Sequence, residues 1–555
     1  MTARIHAPLA EILVGQYTPI DDATASAWRT AGYWAGESVR SLLGAAARKH
    51  PERVALVGLR SDGTRTTRTY REYHQNAHHA AGVFASLGVG AGDSVVVMLP
   101  NWIEYPEMVL GINEIGAIYT GIPVAYGEMQ AAAILRRSRA RVLVIPRRWR
   151  SNDHLALSRR LRTAIPTLEH VIIVDGDGTD LRDGESLWSD HADVPLREFA
   201  DPDPAAVCYL GFTSGTTGEP KGAMHSHDTL LYSVRALAEH VGPAVYGEPM
   251  VQLVASPVGH HTGFVWGIVL TLHLAGTAVH VDRWEPEWGV EVIRNEGVTT
   301  FFGAPTFLQD MMRTDLAGDS RSPLKCLVVA GSSVPRNLPA QAQAALGGYV
   351  CPAWGMTECS IVLSCTPTEP AEIQQTDGAA VAGSEFRIID AAGHDVLAGE
   401  VGELLVRSPA LLYGYYDRQD ATEASYLPGL WFRTGDRASM DERGWVSLRG
   451  RAKDIVIRGG ENIPVTDVES VIFDHPDVAN AAVIGVPDDR LGERVCAVVV
   501  LEEGREDLTV ESLGEFLMSH GLSKHYLPER VVILPALPMT QSGKIQKFKL
   551  REMTA

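Results

Sequence analysis

Short apolar runs rich in β-branched residues recur along this chain, and they limit its possible folds more than any other feature. Residues 94–99 are SVVVML, and comparable runs occupy 141–146, 170–175, 251–257, 299–305 and 326–331. Helix-length stretches separate several of them, such as REYHQNAHHAAGVFASLG at 71–88. Strands that are apolar on both faces are typical of parallel sheets covered by helices. The pattern predicts a mixed α/β fold built on parallel-type sheets.

The pattern changes after about residue 385, which indicates more than one structural unit. EFRIID, GELLVRSP and GWVSLRG predict shorter antiparallel strands joined by glycine turns, as in a small β-rich subdomain. From residue 450, GRAKDIVIRGGENIP opens a compact α+β pattern that ends in a last strand, RVVILPAL. A chain of 555 residues is too long to fold around one ordinary hydrophobic core, so at least two domains are expected. We expect a large N-terminal domain at 1–450, a hinge at 451–454 and a small mobile C-terminal α+β domain at 455–555.

Composition excludes several classes of protein. The formal net charge of −19 argues against a nucleic-acid binder and against binding to anionic membranes. The six cysteines show no CxxC pair and no His/Cys cluster at metal spacing, which predicts a reduced cytoplasmic protein without a zinc site. The start of the chain does not resemble a signal peptide. The apolar segment 264–281 contains two histidines and predicts a buried helix followed by a strand, not a membrane insertion.

One segment indicates phosphate binding. FTSGTTGEPKG at 212–222 combines glycines, hydroxyl side chains and Lys221. Glycines let backbone N–H groups approach an anion, and hydroxyls add donors. A P-loop requires Ser or Thr after its lysine, whereas Gly222 follows Lys221 here. An ordinary surface loop explains such a segment about equally well when it stands alone.

Three further segments carry groups suited to nucleotide chemistry. WGMTE at 354–358 places a threonine and a glutamate after a glycine, and FRTGD at 432–436 places an aspartate at the predicted end of a strand. SGKIQK at 542–547 places Lys544 in a predicted turn. Each has a plain alternative: an exposed lysine, a turn-capping aspartate, or a glutamate at a helix N-terminus.

Taken together, seven segments resemble the ordered motifs of the adenylate-forming superfamily. They are FTSGTTGEPKGAMHSH, SPVGHHTG, WGMTE, GYYDRQDATEASY, WFRTGD, GRAKDIVIRGGENIP and PMTQSGKIQK. That superfamily includes acyl- and aryl-CoA synthetases, firefly luciferase and adenylation domains of peptide synthetases. PNWIEY, SPVGHHTG and the PERV near the end, at 528–531, are similar to motifs in the branch of cyclohexanecarboxylate-CoA ligases. One departure is Trp354, where the superfamily usually has tyrosine.

The resemblance implies a reaction in two halves. A carboxylate attacks the α-phosphate of Mg-ATP to form acyl-AMP and pyrophosphate, and the thiol of coenzyme A then attacks the acyl carbon. Lys544 would bridge the carboxylate and the α-phosphate, Thr357 would contact the α-phosphate, Glu358 would bind Mg²⁺, and His260 would lie by the acyl pocket. The implied nucleotide-binding residues are Thr213, Ser214, Gly215, Thr216, Thr217, Gly218, Lys221, Gly331, Ser332, Ser333, Trp354, Gly355, Met356, Thr357, Asp436 and Arg451.

The second half implies a rotation of the C-terminal domain that withdraws Lys544. Lys453 matches the hinge, and Gly459 and Gly460 would line the pantetheine tunnel, where a Cβ would narrow the passage. A charged linker is the alternative for Lys453, and a buried core histidine is the alternative for His260.

The sequence therefore predicts an acyl-CoA ligase for a bulky alicyclic, aromatic or polycyclic carboxylic acid. Small residues in segments 258–264 and 303–307 are expected to leave space for that acid. Two alternatives stay open: an enzyme that loads a carrier protein, and a homologue that catalyses only one half-reaction. A phosphoryl-transfer kinase is disfavoured because its motifs are absent. The oligomeric state also stays open, a homodimer included.

Overall fold

The structure is a computed structural model. It describes residues 9, 13, 15–213, 219–451, 456–458, 461–463, 465–488, 490–505, 507–540 and 543–554.

Two large sheets, mostly parallel, form the body of the N-terminal part. Within the described residues, the first has nine strands, in the spatial order Ala379–Ala380, Ser360–Ser364, Tyr349–Met356, Cys326–Val329, Thr300–Gly303, Val251–Val254, Thr277–Val281, Val54–Leu59 and Arg65–Thr69. The second has seven, in the order Lys221–Ser226, Val207–Thr213, Ile118–Gly121, Ser94–Val97, Val142–Ile145, His170–Ile173 and Glu185–Leu187. The central strands of both pair in parallel, which confirms the predicted sheet type.

Alternate residues of these strands enter different cores. Val95 and Val97 face the main core between the two large sheets, whereas Val96 faces a second core beneath neighbouring helices. Likewise Val254 belongs to the main core and Leu253 to a third core on the outer face of the nine-stranded sheet. Burial on both faces explains why the strands are continuous apolar runs.

Helices cover these sheets. Helix Tyr70–Ser86 begins at a capping box in which Thr69 and Glu72 bond each other's backbone N–H. It packs against helix Glu104–Glu114, where a Cβ on Gly111 would lie 2.6 Å from the Cβ of Ala80. The other α-helices that the structure describes before residue 451 are Asp22–Thr30, Val39–Lys49, Glu128–Arg137, His154–Ala164, His227–Val241, Thr271–His273, Pro286–Glu296, Pro305–Met312, Leu338–Leu346 and Gln419–Ser425.

The apolar segment 264–281 has the structure that the sequence predicts. A buried run of π-helical turns, Thr262–Leu270, continues into helix Thr271–His273 and then strand Thr277–Val281. Among the described residues, no helix is both long enough and apolar enough to span a membrane.

Two smaller sheets follow. Antiparallel strands Glu385–Ile389, Gly402–Arg407, Trp431–Met440, Tyr426–Leu427 and Val446–Arg451 form the predicted β-rich subdomain. The C-terminal sheet contains strands Glu461–Ile463, Val456–Arg458, Gly492–Leu501, Val478–Asp488 and Arg530–Ile533, with helices Val465–Ile472, Val510–Ser519 and Lys547–Thr554. The sequence analysis did not predict the last helix, whose Leu550 fills a core on one face of this sheet.

Candidate active site

The glycine-rich segment 212–222 connects two antiparallel strands. Thr213 pairs with Lys221 where strands Val207–Thr213 and Lys221–Ser226 form a hairpin. A P-loop instead leads from a strand into a helix, so this geometry agrees with the exclusion of that class. The predicted phosphate-binding residues 214–218 lie outside the described residues.

A carboxylate, a phenol and an ammonium group meet beside this hairpin. The Tyr415 hydroxyl donates to Glu358 Oε1 at 2.9 Å, and Lys221 Nζ lies 4.9 Å from the centre of the Tyr415 ring. Burial raises the pKa of the Glu358 carboxyl, against the opposing effects of the Tyr415 hydrogen bond and two nearby cations. The Tyr415 hydrogen bond thus holds the Glu358 carboxylate in place. Because burial disfavours its negative charge, a cation bound beside it would stabilise the ionised form.

Glu358 lies in the turn between strands Tyr349–Met356 and Ser360–Ser364. The alternative of a helix N-terminal acid is therefore wrong, because no helix begins at this turn. A carboxylate oxygen is a ligand that Mg²⁺ prefers, and the Tyr415 hydrogen bond fixes the Glu358 carboxylate through Oε1. These features fit a magnesium ligand.

Thr357 is fixed from two sides. His225 Nε2 donates to the backbone oxygen of Thr357 at 2.7 Å. Burial lowers the pKa of His225 to about 4, so the ring is neutral at pH 7. A Cβ on Gly211 would lie only 2.4 Å from the Thr357 side-chain methyl, so glycine is required at this close approach. Thr357 and Glu358 are therefore presented together by the same turn.

Asp436 is aimed by a bulge in its strand. Three residues, 434–436, face a single residue, Leu404, on the neighbouring strand, and Gly435 adopts a φ of +73°. Bulges redirect side chains, and glycine adopts this conformation without strain. The predicted position at the end of a strand is wrong, because Trp431–Met440 continues beyond Asp436 and pairs on both sides.

Both oxygens of the Asp436 carboxylate have a protein donor. Trp354 Nε1 donates to Oδ2 at 3.0 Å, and Arg451 Nε donates to Oδ1 at 3.1 Å. Burial raises the pKa of Asp436, while Arg451, the Trp354 hydrogen bond and the charge of Lys544 act in the opposite direction. The structure thus brings Trp354, Asp436 and Arg451 together.

Lys544 lies in a turn, as predicted, and this turn contacts the N-terminal part. Thr540 N–H donates to the Lys544 oxygen at 2.8 Å, and Thr306 Oγ1 donates to the Gly543 oxygen at 3.3 Å. The charge of Lys544 acts on two of these side chains: it adds to the effect of burial that lowers the pKa of His260, and it opposes the effect of burial that raises the pKa of Asp436. Lys544, near the C-terminus, therefore acts electrostatically on Asp436 and His260, which lie more than a hundred residues earlier in the sequence.

Besides the Thr306 contact, three residues of the N-terminal part donate hydrogen bonds to the C-terminal part. Arg313 donates to the Glu502 carboxylate at 2.9 Å and to the Ala479 oxygen at 2.8 Å. Arg449 donates to Asp467 at 3.1 Å, and Asn337 donates to Asp474 at 2.5 Å.

His260 is half-buried, and the charge of Lys544 acts on its ring. Burial, with the charge of Lys544, lowers its pKa to about 4. Its Nε2 is buried and has no hydrogen-bond partner among the described residues. The neighbouring His261 differs, because its Nε2 lies 2.9 Å from the Ser360 hydroxyl.

The glycines of the two predicted pocket segments do not leave open space. A Cβ on Gly263 would lie 2.3 Å from the Pro257 oxygen, and one on Gly259 would lie 2.7 Å from Ile122. On Gly303 it would meet the Phe301 ring at 2.5 Å. The expectation that these residues leave room for the acid is wrong, since each allows a close approach of neighbouring atoms instead.

The remaining predicted residues are placed by sheet register. Val329 pairs with Pro352, so Gly331, Ser332 and Ser333 follow a strand next to the one that carries Trp354, Gly355 and Met356. Lys453, Gly459 and Gly460 lie outside the described residues, and their roles stay predictions.

Sequence analysis missed Tyr415 and His225 as site residues. Both stand inside quoted motifs, GYYDRQDATEASY and FTSGTTGEPKGAMHSH. Their partners lie 57 and 132 residues away, respectively, and a local pattern carries no information about such contacts.

The cysteines take no part in this site. All six are free and buried. Among the residues that the structure describes, no group of three or more His, Cys, Asp or Glu side chains could hold a metal ion.

A cavity of about 330 Å³ adjoins the lysine turn at Thr540 and Gly543. Its wall includes two tryptophans, three guanidinium groups and two carboxylates, namely Trp149, Trp284, Arg150, Arg283, Arg313, Asp282 and Asp310. Aromatic faces and guanidinium groups suit a ligand that carries a base and phosphates.

Comparison with known families agrees with this constellation. Residues 43–416 match the family described as "AMP-binding enzyme", and residues 467–544 match "AMP-binding enzyme C-terminal domain". The chain belongs to the AMP-binding enzyme family, the adenylate-forming enzymes, and is an acid–thiol ligase by class.

Relatives within this family act on different acids and acceptors. The chain is 29% identical to the medium-chain fatty-acid–CoA ligase of Escherichia coli K12, over 95% of this chain and 92% of that one. It is 30% identical to the salicyl-AMP ligase/salicyl-S-ArCP synthetase of Mycobacterium tuberculosis, over 96% and 94% of the two chains. A solved structure of the anthranilate CoA ligase AuaEII with anthranoyl-AMP superposes with a TM-score of 0.84 at 25% identity, over 93% and 97%.

Proposed function

We propose that this chain is a Mg-ATP-dependent ligase that converts a bulky alicyclic, aromatic or polycyclic carboxylic acid to its CoA thioester through an acyl-AMP. The observation that carries the proposal is the docking of the Lys544 turn on Thr306 through Gly543, together with the effect of the Lys544 charge on Asp436 and His260. In this proposal Asp436 binds the ribose and His260 lies by the acyl pocket. Lys544 would then lie where the carboxylate of the substrate meets the α-phosphate of ATP.

In the first half-reaction, two anions have to react. A substrate carboxylate oxygen attacks the α-phosphorus, and the bond to pyrophosphate breaks. Lys544 would neutralise charge on the attacking and α-phosphate oxygens, and Thr357 would donate to the α-phosphate. Fixed charges and donors of this kind supply most of the catalysis in phosphoryl chemistry. When bound, Mg²⁺ would supply further charge neutralisation, and Glu358 would hold it.

In the second half-reaction, the thiol sulfur attacks the acyl carbon, its proton is lost and AMP leaves. Lys544 would obstruct that approach, so we place the hinge at 451–454 and expect the C-terminal domain, 455–555, to rotate. The contacts of Arg313, Arg449 and Asn337 would break in that rotation. Hinges need only a few residues to absorb such a change.

The cavity beside the lysine turn supports CoA as the acceptor. Arg150 and Arg283 belong to the N-terminal part of the wall and would remain when the C-terminal domain moves. Their guanidinium groups could bind the phosphates of the CoA nucleotide, while Trp149 and Trp284 offer faces for its base. A carrier protein presents the pantetheine arm without this nucleotide, so the cavity favours CoA over a carrier.

One experiment tests both halves. Acid-dependent ATP–pyrophosphate exchange, measured with alicyclic, aromatic, terpenoid and fatty acids, reports adenylation, and mass spectrometry with CoA reports the thioester. We expect both signals with a bulky cyclic acid. Exchange without a CoA thioester would identify a carrier protein as the acceptor. Thioester formed only from supplied acyl-AMP would show that the chain catalyses one half-reaction.

Arg150→Ala should raise the KM for CoA about fivefold, the effect of losing roughly 1 kcal/mol of binding. Its exposed side chain would lose a phosphate contact, whereas pyrophosphate exchange should be unchanged. Thioester formation with pantetheine, which lacks the nucleotide, is the control and should not respond. An equal effect with CoA and pantetheine would exclude the cavity as the nucleotide site.

A further inference from the structure

The indole N–H of Trp354 donates a hydrogen bond to one oxygen of the buried Asp436 carboxylate. Its indole Nε1 lies 3.0 Å from Oδ2, and Trp354 and Asp436 are only 7% and 6% exposed. Indole nitrogen is a donor only, so the direction of this hydrogen bond is unambiguous. The contact spans 82 positions of sequence.

The rotation of the carboxylate is fully specified by its donors. Arg451 holds Oδ1 at 3.1 Å, so each oxygen accepts one protein hydrogen bond. The backbone is fixed as well, because the N–H of Asp436 donates to Thr434 Oγ1 at 3.0 Å. The Thr434 hydroxyl in turn donates to the backbone oxygen of Leu404 at 2.8 Å. A carboxylate offers about four lone-pair positions, which leaves about one on each oxygen.

Two acceptor positions on neighbouring oxygens match two hydroxyl donors on neighbouring carbons. We propose that Trp354 is a positioning residue whose indole N–H orients Asp436 to bind both hydroxyls of a ribose, so that it sets the preference for ribonucleotides over deoxyribonucleotides. This inference rests on the proposed function, in which Asp436 binds the ribose of ATP.

Packing alone does not account for the indole. The Trp354 ring also meets Phe386 edge to face, with ring centres 6.3 Å apart, and a phenyl ring could make that contact. The N–H is what distinguishes tryptophan from phenylalanine here. Loss of a hydrogen bond to a buried charged group is costly, and the freed carboxylate would rotate.

The test compares nucleotides within one variant. Wild type, Trp354→Phe and Asp436→Asn are assayed for acid-dependent pyrophosphate exchange with ATP and with 2′-deoxy-ATP. In Trp354→Phe we expect the ratio of kcat/KM for ATP to that for 2′-deoxy-ATP to fall about tenfold, with the KM of the acid unchanged. Phe386→Leu disturbs the packing and keeps the N–H, and it should leave the ratio as in wild type.

Several outcomes would overturn the inference. If Trp354→Phe lowers activity with both nucleotides by the same factor, Trp354 does not set the ribose preference through Asp436. The double variant Trp354→Phe/Asp436→Asn should show the ratio of Asp436→Asn alone, and a further fall would mean that Trp354 acts independently of Asp436. An unchanged ratio in Asp436→Asn would instead contradict the ribose assignment in the proposed function.

A second variant keeps the test valid if phenylalanine destabilises the fold. Trp354→Tyr retains an aromatic ring but moves its donor to the ring tip, so the ratio should fall here too. Equilibrium binding of AMP and 2′-deoxy-AMP measures the same preference without turnover. Equal weakening of both ligands in this variant would argue against positioning.

Discussion

Lys544→Ala should lower acid-dependent ATP–pyrophosphate exchange by about 10³-fold or more, the scale seen when a transition-state charge partner is removed. Thioester formation from supplied acyl-AMP should stay within about twofold of wild type on the same reasoning, because in the proposed mechanism Lys544 leaves the site before the thiol attacks. The two rates are measured in parallel on one preparation.

The structure explains why a single side chain has so large an expected effect. The turn that carries Lys544 is closed by the Thr540–Lys544 backbone hydrogen bond and docked through Gly543 on Thr306. A Cβ on Gly543 would lie 2.4 Å from Thr306 Oγ1, so the approach is as close as the backbone permits. The contact between Gly543 and Thr306 thus places the residue next to Lys544 on the N-terminal part.

Lys549→Ala provides a matched control for the loss of one positive charge in the same segment. Its side chain is exposed on helix Lys547–Thr554, and both half-reactions should be unaffected. Equal loss of both half-reactions in Lys544→Ala would contradict the proposed division between them. A similar loss in Lys549→Ala would point to a general effect of charge.

The architecture could be predicted from the sequence to a large extent, because strands buried on both faces leave a local signature. Val95, Val96 and Val97 illustrate this, since they enter alternate cores and all three must be apolar. Helix Lys547–Thr554 left no comparable signature, because its sequence, KFKLREMT, exposes half of its positions and buries only Leu550 and Thr554.

The motifs predict a set of candidate site residues, Trp354, Glu358, Asp436 and Lys544 among them, but they do not predict the contacts between these residues. Motif order could not show that Trp354 bonds Asp436, or that Tyr415 bonds Glu358, because such contacts depend on how distant strands are paired. Likewise Gly259 and Gly263 are glycines because neighbouring backbone atoms approach them closely. The sequence alone cannot distinguish this reason from the need to leave open space for a ligand.

The second large effect is expected at Glu358. Glu358→Gln should lower pyrophosphate exchange by about 10²-fold at low Mg²⁺ and raise the Mg²⁺ concentration needed for half-maximal activity. The substitution keeps the size of the side chain and removes a charge that burial already disfavours. The measurement is a Mg²⁺ titration of the exchange rate.

Two further variants separate metal binding from loss of structure at Glu358. Tyr415→Phe removes only the donor that holds Oε1 at 2.9 Å, so it should shift the Mg²⁺ titration in the same direction by about fivefold, the scale of one hydrogen bond. Glu372→Gln removes an equivalent charge at an exposed position and should change nothing. If Glu358→Gln lowers the maximal rate but leaves the Mg²⁺ midpoint unchanged, Glu358 is not a metal ligand, and its carboxylate serves instead to fix Tyr415 and the neighbouring Lys221.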